Sequence, residues 1–133
     1  NDTLDILSDN GIKYTANWPL DDLPQDLKVK RGKRMITLPY PIEINDVVMT
    51  SVQVHKSDEI FTRGKLQFDR LYKEAEENTK IMAISVHPYL TGVPHRIGFF
   101  EKLLDYVLEH DDVEIMTGRD IYNWYTKQVP ENS

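Results

Sequence analysis

Ile84-Ser85-Val86-His87-Pro88-Tyr89-Leu90-Thr91-Gly92-Val93-Pro94-His95-Arg96 is the stretch whose reading decides the fold: an apolar run of strand type stops at a histidine, turns through proline and glycine, and leads into a helix. In α/β folds reactive side chains are displayed where strands end, because the loop beyond the last strand residue opens into the shared crevice. His87 therefore stands where chemistry usually stands. The competing reading is a histidine beside proline that hydrogen-bonds a nearby carbonyl and closes its strand.

Working outward, the segments form one alternating series without internal repeats or low-complexity tracts, which points to α/β. Upstream, Lys80 to Val86 is the clearest strand. A long amphipathic helix precedes it, from about Ile60 or Lys65 to Asn78, with Ser57-Asp58-Glu59 as its start and Leu66, Phe68, Leu71 and Tyr72 as its apolar face. Asn45 to Lys56 reads as a strand or an irregular insertion. Met35 to Leu38 is a strand stopped or pushed to an edge by Pro39 and Pro41. Trp18 to Leu27, with Pro19 and Pro24 among aspartates, reads as a loop, and Lys13 to Ala16 as a short strand. Thr3 to Asp9 is a helix with Thr3 as cap and Gly11 as stop.

Downstream, Arg96 to Glu109 places Ile97, Phe100, Leu104, Val107 and Leu108 near one face, widened by Phe99, Leu103 and Tyr106, so this helix faces a core. Val113 to Met116 reads as the next strand. Thr117-Gly118-Arg119-Asp120 then leads into a last helix with Ile121, Trp124 and Tyr125, an aromatic stripe assigned to packing.

The chain has 133 residues, enough for a single domain over positions 1–133 with its own core, and 40% hydrophobic with 29% charged residues is an ordinary globular composition. A net charge of −6 and a pI near 5.1 argue against a nucleic-acid partner. The basic run Lys28 to Arg34 is read as a solvated turn rather than a phosphate patch. The absence of cysteine excludes disulfides and thiolate metal sites. No apolar run has the roughly 18 residues needed to span a bilayer, so no membrane partner is expected, and a cytoplasmic setting is favoured.

Beyond the opening stretch, Tyr14 with Asp21-Asp22-Leu23-Pro24, Thr37 to Asp46, and Phe68 to Glu74 with Met82 recur in an order that resembles the polysaccharide deacetylase family. The resemblance covers nearly the whole chain and is closest to the peptidoglycan deacetylases of the intracellular type and the cofactor-independent allantoinases. It implies a partial (β/α) barrel of the polysaccharide deacetylase type, corresponding to the C-terminal portion of the family's domain. The family's aspartate-containing motif and closely spaced histidine pair would lie N-terminal to anything matched here. The four histidines His55, His87, His95 and His110 form no such pair, so no cofactor is expected on this chain, while the parent could carry a divalent metal such as zinc. His55 and His110 read as surface residues.

The resemblance also implies roles. His87 matches the family histidine that donates a proton to the departing nitrogen, and an acidic loop residue would orient it, with Asp21 and Asp22 as candidates; turn formation is the competing reading for each aspartate. Glu43, Asn45 and Asp46 stand where an allantoinase-like enzyme would contact its substrate, against the alternative of an Asx turn at Asn45-Asp46. Arg96 could bind an anionic substrate group through its guanidinium fork, or cap or salt-bridge locally. The expected function is a hydrolase of carbon–nitrogen bonds other than peptide bonds, deacetylating N-acetylated carbohydrate, with this chain inactive by itself. An allantoinase-like cyclic amide hydrolase and a non-catalytic binding domain are the alternatives. Unpaired strand edges make a homo-oligomer the expected partner state.

Overall fold

The computed structural model describes residues 2–18 and 20–130, so Pro19 lies outside the described residues. They fall into two compact units, one made by the chain up to Tyr40 together with the chain from Ile115 onward, the other by Pro41–Glu114.

In the first unit, α1 (Thr3–Asp9) ends at Asn10, and Gly11 takes a φ of +80°, a left-handed turn that glycine adopts without strain. Its N-cap is Asp2, one residue before the cap expected. Three short strands follow: β1 (Tyr14–Thr15), β2 (Gln25–Leu27) and β3 (Met35–Thr37). They form a small open sheet in the order β1-β3-β2, with β1 parallel and β2 antiparallel to β3. β3 is central, and Met35 and Ile36 are fully buried.

β2 corrects the loop expected over Trp18 to Leu27. Pro24 is buried just before it, so proline ends the loop and launches a strand. The basic run is a turn: Asp5 of α1 accepts hydrogen bonds from the backbone N–H of Lys30 (2.7 Å) and Arg31 (3.0 Å), and Ser8 Oγ accepts from Lys33 N and donates to Lys33 O, both at 2.7 Å. Arg34 forks onto Asp26 at 2.5 and 2.8 Å.

Helix α5 (Gly118–Gln128) closes this unit. Thr117 and Asp120 form a reciprocal capping box at its start, and none of its residues is fully buried, so Trp124 is only half-buried packing. The segment 113–116 forms no strand, and Ile115 is 73% exposed. An apolar quartet has strand propensity, but a strand exists only where a neighbour supplies the ladder.

The second unit is built on two helices, α2 (Glu59–Glu74) and α4 (Ile97–Leu108), preceded by a π-helical turn at Val48–Val52 that replaces the strand or insertion expected there. Ile60, Gly64, Phe68 and Leu71 recur at spacings of four, four and three and form the buried face of α2. Leu66, expected on that face, points outward at 66% exposure. Gly64 lies where any Cβ would collide with Leu103 of α4, so its lack of a side chain sets how closely the helices approach. On α4 the buried centre is Leu103 and Val107, flanked by Phe99, Phe100 and Tyr106, while Leu108 lies outside the stripe. Met49, Ile60, Phe68, Leu103 and Val107 form the core, each large side chain contributing about 1.5–3 kcal/mol of transfer free energy.

His110 is half-buried, not a surface residue. Its ring stands edge-on to Phe68, Tyr72 and Tyr106 at 4.8, 5.0 and 4.8 Å between centroids. His55 is exposed, 3.9 Å from Glu59. The run 80–86 makes no ladder. Its pairing among the described residues is a single parallel bridge between Ser85 and Asn45, although Met82 and Ile84 pack on the core as an apolar strand would. Among the described residues, no helix is long and apolar enough to cross a membrane.

Candidate active site

That one bridge builds the site. Ser85 N–H donates to Ile44 O at 2.9 Å and Asp46 N–H donates to Ser85 O at 3.1 Å, which places Asp46 beside His87 across 41 positions of sequence. On the Asp46 side, Asn45 Oδ1 accepts from the N–H groups of Val47 (3.0 Å) and Val48 (3.3 Å), an Asx turn that starts the helical turn. On the His87 side the backbone is extended (φ −117°, ψ 124°), and Pro88 starts the short helix α3 (Pro88–Thr91) with its φ already helical. One turn later, Thr91 faces back toward Asp46.

Asp46 is 3% exposed and fully engaged. Its Oδ1 meets His87 Nδ1 at 2.7 Å, and its Oδ2 accepts from His87 N–H at 2.7 Å and from Thr91 Oγ1 at 2.6 Å. Burial pushes the Asp46 carboxyl up, but the Thr91 hydroxyl, the His87 amide and the His87 ring together outweigh it and hold the group below the ordinary carboxylate range. Asp46 is thus an anion near neutral pH. An ionised carboxylate only accepts, so Nδ1 carries the hydrogen in this pair, and Nε2 is left on the far side of a side chain that is 39% exposed. Tyr89 flanks it, with ring centroids 5.7 Å apart and the tyrosine 70% exposed.

The one hydrogen of His87 Nδ1 goes to Asp46, a residue that the sequence offered as a substrate contact. Asp21 instead accepts from the N–H of Asp22 (2.7 Å) and from Gln25 Nε2 (3.4 Å), in the exposed turn before β2. Of the second polar cluster, Asn45 is spent on the Asx turn, Glu43 is exposed and offers its carbonyl to Arg63 Nη1 at 3.2 Å, and Asp46 is buried on the histidine. Arg96 is half-buried and donates from Nη1 to Leu90 O at 3.3 Å, which fastens the loop after α3. Thr91 was not singled out in the sequence; its position one helical turn after His87 is the signal that would have found it. Among the described residues no three histidine, aspartate or glutamate side chains converge to hold a metal ion.

What this arrangement can do chemically is move a proton. A buried anion fixes the ring through Nδ1 and leaves Nε2 on the side away from it, in a side chain that is partly exposed.

No family model matches the chain. Over 115 residues it is 29% identical to a Schizosaccharomyces pombe protein described as "Putative polysaccharide deacetylase", covering 85% of this chain and 36% of that protein. It is also similar to the peptidoglycan deacetylase of Helicobacter pylori, 23% identical over 119 residues, 90% of this chain and 34% of the other. Among solved structures, Puue allantoinase superposes with a TM-score of 0.91 at 29% identity over 98% of this chain and 44% of that one. The chain thus resembles proteins named as polysaccharide and peptidoglycan deacetylases and a solved allantoinase. Its mixed helix and strand content and small open sheet match that fold, and it spans about a third of the length of the curated relatives it matches.

Proposed function

We propose that this chain supplies the proton-donating part of a hydrolase that acts on carbon–nitrogen bonds other than peptide bonds and releases acetate from N-acetylated carbohydrate. The observation that carries the reading is the couple of buried Asp46 with partly open His87 at 2.7 Å. Water adds to the acetamide carbonyl, the C–N bond breaks, and the imidazolium gives its Nε2 proton to the leaving nitrogen, so that the products are acetate and the free amine. Asp46 is the positioning residue for that proton, and Thr91 holds Asp46. Tyr89 is the aromatic wall against which a sugar ring would lie.

Family likeness supports the substrate class, since two relatives are named as polysaccharide and peptidoglycan deacetylases. The chain is read as part of a (β/α) barrel wall, and the group that activates the water is assigned to protein outside residues 1–133. A second reading, hydrolysis of a cyclic ureide, is favoured by the superposition on an allantoinase.

The test is acetate release from an N-acetylglucosamine oligomer, beside ring opening of allantoin, by the full-length product of the gene that encodes these residues. His87→Gln should lower kcat about 10²–10⁴-fold, the usual contribution of a general acid. It should also remove one limb of the pH profile. Wild-type turnover of allantoin alone would select the second reading, and an unchanged kcat in the variant would remove His87 from the mechanism.

A further inference from the structure

The first unit contains a cleft of about 680 Å³ that shares no residue with the Asp46–His87 couple. Its size lies within the range of small-molecule sites. One wall is the turn and strand carrying Gly11, Lys13 and Tyr14, and the other is the start of α5 with Arg119, Tyr122 and Asn123.

Three features give the cleft a chemistry. Tyr14 and Tyr122 both line the cleft, with ring centroids 6.0 Å apart and a tilt of 31° between the rings, so aromatic surface stands on both walls. Glycine at 118 permits this: a Cβ there would fall 3.1 Å from Tyr14 Cε2 and 3.2 Å from its hydroxyl oxygen, so a larger residue would push the Tyr14 ring away. Next, two cations meet here on a chain of net charge −6. Lys13 Nζ sits 5.7 Å from the Tyr122 ring centroid, and among the described residues neither Lys13 nor Arg119 has an ion-pair partner. Finally, Asn123 brings an exposed amide with both donors and an acceptor to the same wall.

We propose that this cleft binds a pyranose unit that bears a carboxylate, such as an acidic sugar of a glycan. Tyrosine faces take the C–H face of the ring, the Asn123 amide pairs with neighbouring hydroxyls, and the guanidinium and ammonium take the carboxylate. Inorganic phosphate would satisfy the cations but leave both tyrosine faces in water. A neutral sugar would do the reverse. The site goes beyond the proposed hydrolysis, and the choice of a saccharide over another anionic ring leans on that reading.

The experiment is titration of the full-length product of the gene that encodes these residues, followed by backbone amide NMR, with trigalacturonate, tri-N-acetylglucosamine and inorganic phosphate. The expected result is shifts at Lys13, Tyr14, Arg119, Tyr122 and Asn123 with trigalacturonate, an affinity at least tenfold above that for the other two probes, and weakening in added salt. Arg119→Gln and Tyr122→Leu should each weaken binding about tenfold or more. A circular-dichroism spectrum identical to wild type must accompany each variant, and Asn123→Ala, on an exposed position, replaces any variant that fails it. Equal binding of phosphate, equal binding of the neutral trimer, or no shift at these residues would each overturn the proposal. None of these outcomes bears on acetate release, so the two readings fail separately.

Discussion

Two buried carboxylates, one in each unit, do the same physical thing to different ends. Asp5 and Asp46 are 4% and 3% exposed, and both are held below the ordinary carboxylate range. At Asp5 the main cause is the hydrogen bond from the Arg31 amide, and the other acceptor contact is also with backbone, at Lys30. The carboxylate there is a peg for a turn. At Asp46 burial works against ionisation and is overcome by a hydroxyl, an amide and an imidazole. The difference lies in the last partner: backbone N–H groups do not titrate near neutral pH, whereas a histidine does. A buried anion becomes a device for chemistry when one of its partners can gain and lose a proton where solvent reaches it.

Of the two carboxylates, the larger effect should come from separating charge from shape at Asp46. Asp46→Asn keeps the volume but supplies an amide that donates as well as accepts. On the proposed function, turnover by the full-length product should fall about 100-fold through loss of the correct tautomer, and stability should fall by about 1–3 kcal/mol because buried donors lose a charged acceptor. Combined with His87→Gln, the two losses should be far from additive. Additive losses would mean that the carboxylate does not act through the ring.

Asp5→Asn is the contrasting substitution. It should lower Tm while leaving turnover per folded molecule unchanged, measured by thermal melts beside acetate release. A matching loss of turnover would erase the distinction between the two carboxylates.

Acid should weaken both regions in the same direction. A carboxyl whose folded value is depressed contributes stability that is complete above the unfolded value of about 3.9 and is lost as pH falls through the lower folded one. Denaturant midpoints should therefore hold down to the carboxylate range and drop below it. In that range Asp46 also loses its charge, so NMR of the His87 imidazole should show the ring reorienting there. An unmoved ring would mean that the Thr91 and backbone contacts alone hold it.

The smallest effect expected is at Ser85, whose buried hydroxyl has no hydrogen-bond partner among the described residues. Ser85→Ala should raise stability by about 1 kcal/mol and leave the bridge to Asn45 intact, because that bridge is made by backbone groups. Loss of stability would show that the hydroxyl has a partner in solution.

Much of this was legible from periodicity. The helices at Thr3–Asp9, Glu59–Glu74 and Ile97–Leu108 follow from apolar spacing, and β3 from the run before Pro39. Leu66 was misplaced because an isolated leucine near a true stripe looks like part of it, and only the position of α4 fixes which arc of α2 is buried. The runs at 80–86 and 113–116 look like strands because strand propensity is local, while a ladder is a property of a neighbour. His87 stood out by its position at the end of an apolar run. Its carboxylate did not, because a contact across 41 positions leaves no local signature, and the Asn45-Asp46 pair looks like turn chemistry, which at Asn45 it is.

The bridge between Asn45 and Ser85 carries one more implication, for kinetics. Among the described residues two backbone–backbone hydrogen bonds, from Ser85 N and Asp46 N, tie the segment bearing the carboxylate to the segment bearing the imidazole, beside the contacts that the Asp46 carboxylate makes itself. Both donors are amides whose hydrogens exchange with solvent only when the tie opens. The exchange rates of these two amides are therefore a clock for the Asp46–His87 pair, readable without substrate: each opening that lets in deuterium is also an interval in which the imidazole and its carboxylate can part.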